Sequence, residues 1–239
     1  MVCQLLCSVF QTTPEKLKAL YQKLDDSFEE DGWPLQFAPR EFFQSKNSSF
    51  QKNIYEKSPS IAIDLPSFLE WDDGNKQKPT IVLLGQDSKG NQDHEDISIG
   101  TPYGLHHKGS REKLTNTKLY FDMVRVLLDL GYRVYLTDIF KVWVCNPEKR
   151  YASSHLPKKD KASFLEILER EIAAVNPAAV FTWGNASRDA IKKTYIDSTL
   201  SFPHPSGAAN GAYKKFLGKS PTNENKLRYF KKGVQQSLM

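Results

Sequence analysis

The chain is expected to fold as an α/β protein, a three-layer α/β/α sandwich with a central four-stranded, mainly parallel sheet. Three observations predict this: short apolar runs of strand type, amphipathic segments of helical period between them, and polar residues suited to chemistry just past the runs. The runs are Thr80–Leu84, Arg133–Leu136, Ala178–Thr182 and Thr199–Phe202. The first is bounded by Pro79 and Gly85. Leu114–Leu130 then carries Leu119, Met123, Val126, Leu127 and Leu130 at helical spacing, with Gly131 as its stop. Ala162–Val175, through Phe164, Leu165, Leu168, Ile172 and Val175, and Ala186–Lys193 supply the other crossovers. Strands joined by helices pair in parallel. Upstream, a helix is expected from Pro14 to about Glu30, within residues 1–75, read as a helical extension packed on a single domain spanning 1–239.

A length of 239 residues with 39% hydrophobic content suits one soluble globular unit. The opening Met1–Phe10 is apolar but lacks a basic start and falls short of the ~20 residues that span a bilayer, so neither secretion nor membrane insertion is expected. Cys3, Cys7 and Cys145 cannot all pair and show no zinc-type spacing, which implies free thiols in the cytoplasm; a monomer is expected. The net charge of +5 is unevenly placed. Residues 203–239 hold seven basic groups against Glu224, whereas the remainder holds 26 basic and 27 acidic groups. A phosphate backbone is the partner such a segment suits, because binding it releases condensed counterions. A solvated helix face is the plainer explanation of the same charges.

Open parallel sheets bind ligands beyond the carboxyl ends of their strands. Gly85-Gln86-Asp87, Thr137-Asp138, Trp183-Gly184-Asn185 and His204-Pro205-Ser206 all leave such ends. A carboxylate and an imidazole are thereby expected at one rim, able to attack a bond held between them. The segment Ser88–Arg111, with Gly90, Gly100, Gly104 and Gly109, is read as a loop that brings Pro102-Tyr103 over the rim. Each residue also has a structural explanation. Asp87 suits a helix N-cap or turn, His204 a proline-flanked turn, Tyr103 a loop anchor and Asp138 a strand-end cap. His106 and His107 are expected at the surface, His94 and His155 carry no signal, and Trp143 and Trp183 are expected to pack in the core or at the rim.

In these motifs the chain resembles the uracil-DNA glycosylase superfamily. Gly85-Gln86-Asp87 is similar to the tripeptide that supplies its catalytic aspartate, and His204-Pro205-Ser206 to its second motif. Gly100-Thr-Pro-Tyr103-Gly resembles the Gly-x-Pro-Phe-Gly segment whose ring stacks on an extruded base. Tyr135-Leu-Thr-Asp138-Ile-Phe-Lys141 resembles the strand end that reads the base edge. Leu168–Pro177 and Phe181–Ala186 look like the helix and strand of the bacterial iron–sulfur branch. The likeness covers about Lys78 to Tyr213 and leaves roughly the first 75 residues unexplained.

The departures are specific. Ser88-Lys89-Gly90 stands where the best-known branch has Pro-Tyr-His, so the tyrosine that excludes thymine's methyl group is missing there. Phe164 aligns with the last cysteine of the iron–sulfur branch, and three cysteines rule out a four-thiolate cluster within one chain. No cofactor or metal is expected. Asp138 replaces the base-reading Asn. An ionised carboxylate only accepts hydrogen bonds and would suit an amino group, whereas a protonated one both donates and accepts, as an amide does.

The resemblance implies a DNA glycosylase of base excision repair that hydrolyses the N-glycosidic bond of uracil or a related deaminated base. In that reading Asp87 stabilises the oxocarbenium-like sugar and orients or deprotonates water, while His204 donates to the leaving base. Gln86, Tyr103, Asp138 and Ser206 would bind the base, which must leave the stack to reach them. Gly207, Asn210, Lys214 and Lys215 would approach the DNA, in a loop lacking the family's large aliphatic wedge. Two other classes remain: a non-catalytic nucleic-acid binder of the same fold, and a small-molecule nucleoside hydrolase on a generic α/β sheet.

Overall fold

The computed structural model describes residues 2–10, 12–26, 28–29, the backbone of 36–38, 58–75, 77–88, 95–146, 156–197, 200–218 and 221–238. Its central sheet is built from β3 (Ser67–Leu69), β4 (Thr80–Asp87), β6 (Arg133–Phe140), β8 (Ala179–Trp183) and β9 (Leu200–Phe202). The spatial order is β3-β6-β4-β8-β9, and only the edge strand β3 runs antiparallel to its neighbour. The expected four-stranded parallel core is therefore present, with one antiparallel strand added.

Alternation along β4 makes the three layers. Ile81 and Leu83 face α4 (Thr115–Asp129) and α8 (Asn223–Leu238), packing with Met123, Leu127, Phe230 and Val234. Val82 and Leu84 face the opposite way, onto Leu168 and Ile172 of α5 (Lys158–Val175) and Ile191 of α6 (Asn185–Ile191). All four β4 side chains are fully buried, and each such burial is worth about 2 kcal/mol. That anchors the strand whose last residue is Asp87.

A second sheet, in the order β1-β5-β2-β7, joins β1 (Gln36–Ala38), β2 (Ile61–Asp64), β5 (Ile97–Gly100) and β7 (Val142–Val144). The helices α1 (Val2–Phe10) and α2 (Pro14–Asp26) cover it, with Leu6, Phe10, Leu17 and Leu24 packing on Ile61, Ile63, Ile97 and Ile99. Phe164, the residue aligned with a cluster cysteine, is wholly buried in this second core. The first 75 residues thus supply strands β2 and β3 as well as helices. Ser88–Arg111 also differs from a plain loop. Its described part holds β5, a 3-10 turn at Pro102–Gly104 and α3 (Lys108–Lys113). The alternation in Ile97-Ser-Ile99-Gly100 spans four residues, too few to separate a strand from a loop by period alone. Lys89, Gly90, His94 and His155 lie outside the described residues. Among the described residues no helix is long and apolar enough to cross a membrane.

Candidate active site

Chain order dictates where this sheet opens. The connection from β4 runs to β6 on one side, and the next runs to β8 on the other, so the strand order reverses at β4. Crevices form beyond the carboxyl ends of strands at such a switch point. A cavity of about 1000 Å³ lies there. Gln86, Asp87, Tyr103, Asp138, His204 and Ser206 all line it.

Asp138 forms the floor. It pairs with Gly85 across the β4–β6 ladder, and its side chain lies over that glycine. A Cβ at residue 85 would collide with both the Asp138 carboxyl and the Tyr103 hydroxyl, so glycine is required. Burial, reinforced by the charges of Asp64 and Asp87, holds Asp138 well above the usual carboxylate range despite the Lys141 ammonium. Asp64, the last residue of β2, is a cavity residue absent from the sequence expectations. Burial and the neighbouring Asp87 raise it to about 7. No motif marks it; the β2–β5 pairing, which places Asp64 opposite Gly100, brings it to the rim.

Beneath the floor, the fully buried Lys141 ammonium lies 2.5 Å from Glu171 on α5 and donates to the Thr137 hydroxyl (2.7 Å) and to the Asp138 carbonyl. Tyr135 and Thr137 donate to the same Glu171 carboxylate at 2.6 and 2.9 Å. This network holds the end of β6 from below. The Gln86 amide reaches the Asp87 carboxylate at 3.5 Å.

His204 hangs on the opposite wall. The Ser206 backbone N–H donates to its Nδ1 (3.3 Å), with the Ser206 hydroxyl 2.9 Å from the same atom. A backbone N–H can only donate, so Nδ1 is the acceptor and the ring proton sits on Nε2. Burial, and secondarily Lys226, lower its pKa to about 4, keeping the ring neutral at physiological pH. Gly184, at φ +94, approaches the His204 Cβ so closely that a Cβ of its own would lie 3.3 Å away.

Two side chains that lacked any motif hold this turn. Tyr213 on α7 (Asn210–Leu217) donates to the Pro203 carbonyl (3.0 Å), and Lys226 on α8 donates to the Pro205 carbonyl (2.8 Å). Lys226 had been counted with the charges available to a polyanion. It is instead buried and engaged with the turn, donating to the Pro205 carbonyl with the Tyr213 ring 5.2 Å away and the His204 imidazole close enough to feel its charge.

Tyr103 takes a left-handed backbone, φ +62, which turns its ring inward against Tyr120 (4.7 Å) and Trp183 (5.1 Å), with His204 at 6.1 Å. Ser206 lines the cavity, but its hydroxyl is engaged with His204. Gly207, Asn210, Lys214 and Lys215 are exposed on the following turn and α7, where Ala208, Ala209, Gly211 and Ala212 form the cavity wall instead. The expectation of surface histidines at 106 and 107 is corrected: both are buried. His107 caps α3, accepting from the Ser110 N–H, and His106 packs edge-on against Phe28.

A scan against protein-family models matches residues 71–231 to the uracil DNA glycosylase superfamily, more than half of the chain. The chain belongs to this superfamily. Membership brings a glycosylase-like function of hydrolytic type, in a superfamily that acts on DNA. The match extends past the motifs on both sides, taking in the connection from β3 to β4 and the first half of α8. Comparison with curated proteins finds no match.

Proposed function

We propose that the protein releases uracil, or a closely related deaminated base, from DNA by hydrolysing the N-glycosidic bond. The observation that supports this most is the joint presence of Asp87, Asp138 and a neutral Nε2-protonated His204 on one cavity at the sheet's switch point. Breaking a bond to such a base leaves positive charge on the sugar and negative charge on the base. Asp87 stabilises the first and orients or deprotonates the attacking water. His204, neutral at physiological pH, donates its Nε2–H to the base oxygen that gains charge.

The Asp138 environment favours a base with a carbonyl next to an imide N–H. Burial and the nearby Asp64 and Asp87 raise this carboxyl well above the ordinary range and so favour its protonated form, which offers one donor and one acceptor, as an amide would. A base bearing an amino group would need the ionised form, which this desolvated and acid-rich floor opposes. Tyr103 supplies the aromatic face for the extruded base.

The test is base release from uracil-, hypoxanthine-, xanthine-, cytosine- and thymine-containing oligonucleotides, by wild type and Asp87→Asn. Alkali-labile sites formed by wild type on uracil, and lost in the variant, support the proposal. Binding without release by both proteins points to a non-catalytic binder. Turnover of free nucleosides with no dependence on DNA points to a small-molecule hydrolase.

A further inference from the structure

Past the cavity, α7 carries an aromatic that the core does not use. Phe216 is 61% exposed, although burying a side chain of its size is ordinarily worth about 1.5–3 kcal/mol. Its ring is not loose. It stacks on Tyr229 of α8 at 5.7 Å and 28°, and Tyr229 is met edge-on by the buried Tyr213 at 6.1 Å. The platform is thus stiffened from behind while its outer face is open.

Helical periodicity relates this face to the site. Gly211 and Ala212 line the cavity wall, and residues four positions on lie on the same side of a helix, one turn further along. Those residues are Lys215 and Phe216. Phe216 therefore sits about 6 Å further along the helix axis than Ala212 at the cavity lip, a step of one to two nucleotides at roughly 3.4 Å each. The surrounding charge is of one sign. Lys214, Lys215, Lys231 and Lys232 are exposed, and the one acid of α7 and α8, Glu224, is paired with Arg228 at 2.6 Å.

We propose that Phe216, backed by Tyr229 and flanked by Lys215, is a stacking platform for an unpaired base of the DNA strand that enters the cavity, next to the nucleotide the cavity receives. The inference rests on reading the cavity as a DNA site, but not on which base is released. Base–aromatic stacking is indifferent to sequence, since every base has a π-face, and it favours a strand whose bases are free to leave the duplex stack.

The experiment is fluorescence anisotropy with an unmodified single-stranded oligothymidine and with a blunt duplex of equal length, across a salt series. Stacking of one base is worth about 1–3 kcal/mol, so Phe216→Ala is expected to weaken single-strand binding roughly tenfold without changing the salt slope. Duplex binding should change less than single-strand binding, and Phe216→Trp should retain wild-type affinity. Lys215→Ala should instead reduce the single-strand salt slope by about 0.7. Equal affinity of Phe216→Ala and wild type, or equal losses on single and double strands, overturns the platform while leaving the DNA site intact. Failure of the wild-type protein to bind either nucleic acid overturns the platform and the DNA reading of the cavity together.

Discussion

The floor of the cavity and its outer lip are electrostatic opposites. The floor gathers the buried Asp138 with the half-buried Asp64 and Asp87 beside it, above a buried Lys141–Glu171 pair. The lip is a helical surface of exposed lysines with one aromatic ring, set in solvent. Positive charge outside attracts a polyanion over distances limited by screening, about 8 Å at physiological salt. In the proposed reaction, negative charge inside would face the sugar, where a developing cation can use it. Exchanging the two would work against the proposed function, repelling a polyanion and destabilising a developing cation. The raised pKa of Asp138 works in the same direction under the proposed function, since it disfavours a further negative charge in the pocket.

The largest effect that tests this division is on the reaction. Asp87→Asn is expected to slow single-turnover base release by about 10²–10⁴-fold, the usual contribution of such a group, while leaving oligonucleotide affinity nearly unchanged. Next comes stability. Lys141→Met strands the Glu171 carboxylate in the interior, so urea unfolding should show a loss of about 3–5 kcal/mol. Lys214→Ala on the lip should leave the unfolding midpoint where it is and act only on salt-dependent binding. A loss of comparable size from both lysines would erase the distinction between floor and lip.

Smaller effects follow from pH. Asp64 is raised from 3.8 to about 7 by burial and Asp87. A carboxyl whose folded pKa is raised binds its proton more tightly in the native state, so its stabilising contribution is complete below the ordinary value and is lost as pH climbs to about 7. Asp64→Asn should therefore flatten the fall in stability between those limits and raise stability at pH 8 by on the order of 1–3 kcal/mol. Asp138 carries the same sign. As pH rises through its elevated pKa it gains a charge beside the base carbonyl, and activity should decline. Asp138→Asn is expected to keep uracil release within about tenfold of wild type and to remove that alkaline limb, because the amide reproduces the protonated acid's donor and acceptor. Loss of all activity in this variant, with gain on an amino-bearing base, would mean that the ionised form does the reading.

Much of this was legible along the chain. The four parallel strands announced themselves through apolar runs of β type, and α4 and α5 through helical spacing, since burial against a common sheet imposes those periods. The candidate residues at the carboxyl ends of the strands were legible for the same reason, although β4 and β6 run on through Asp87 and Asp138: the rim is a topological consequence of parallel pairing. The short strands β2, β3, β5 and β7 were not, because three or four residues are too few to distinguish a strand from a loop. Asp64 was invisible with them. The histidines at 106 and 107 were misplaced because polarity argues for the surface, whereas a cap on α3 and an edge contact to Phe28 satisfy them inside.

Residue identity and order were enough to specify a parallel sheet, its rim, the acid and imidazole placed there, and the basic tail, since each depends on local period or on simple charge. Protonation was settled elsewhere. That Asp138 is held above the ordinary carboxylate range, that His204 is neutral with its hydrogen on Nε2, and that Lys226 holds a turn depend on which groups are brought within a few ångströms. Electrostatic and desolvation energies are set by three-dimensional neighbours, and no spacing along the polymer encodes them until the strands have paired.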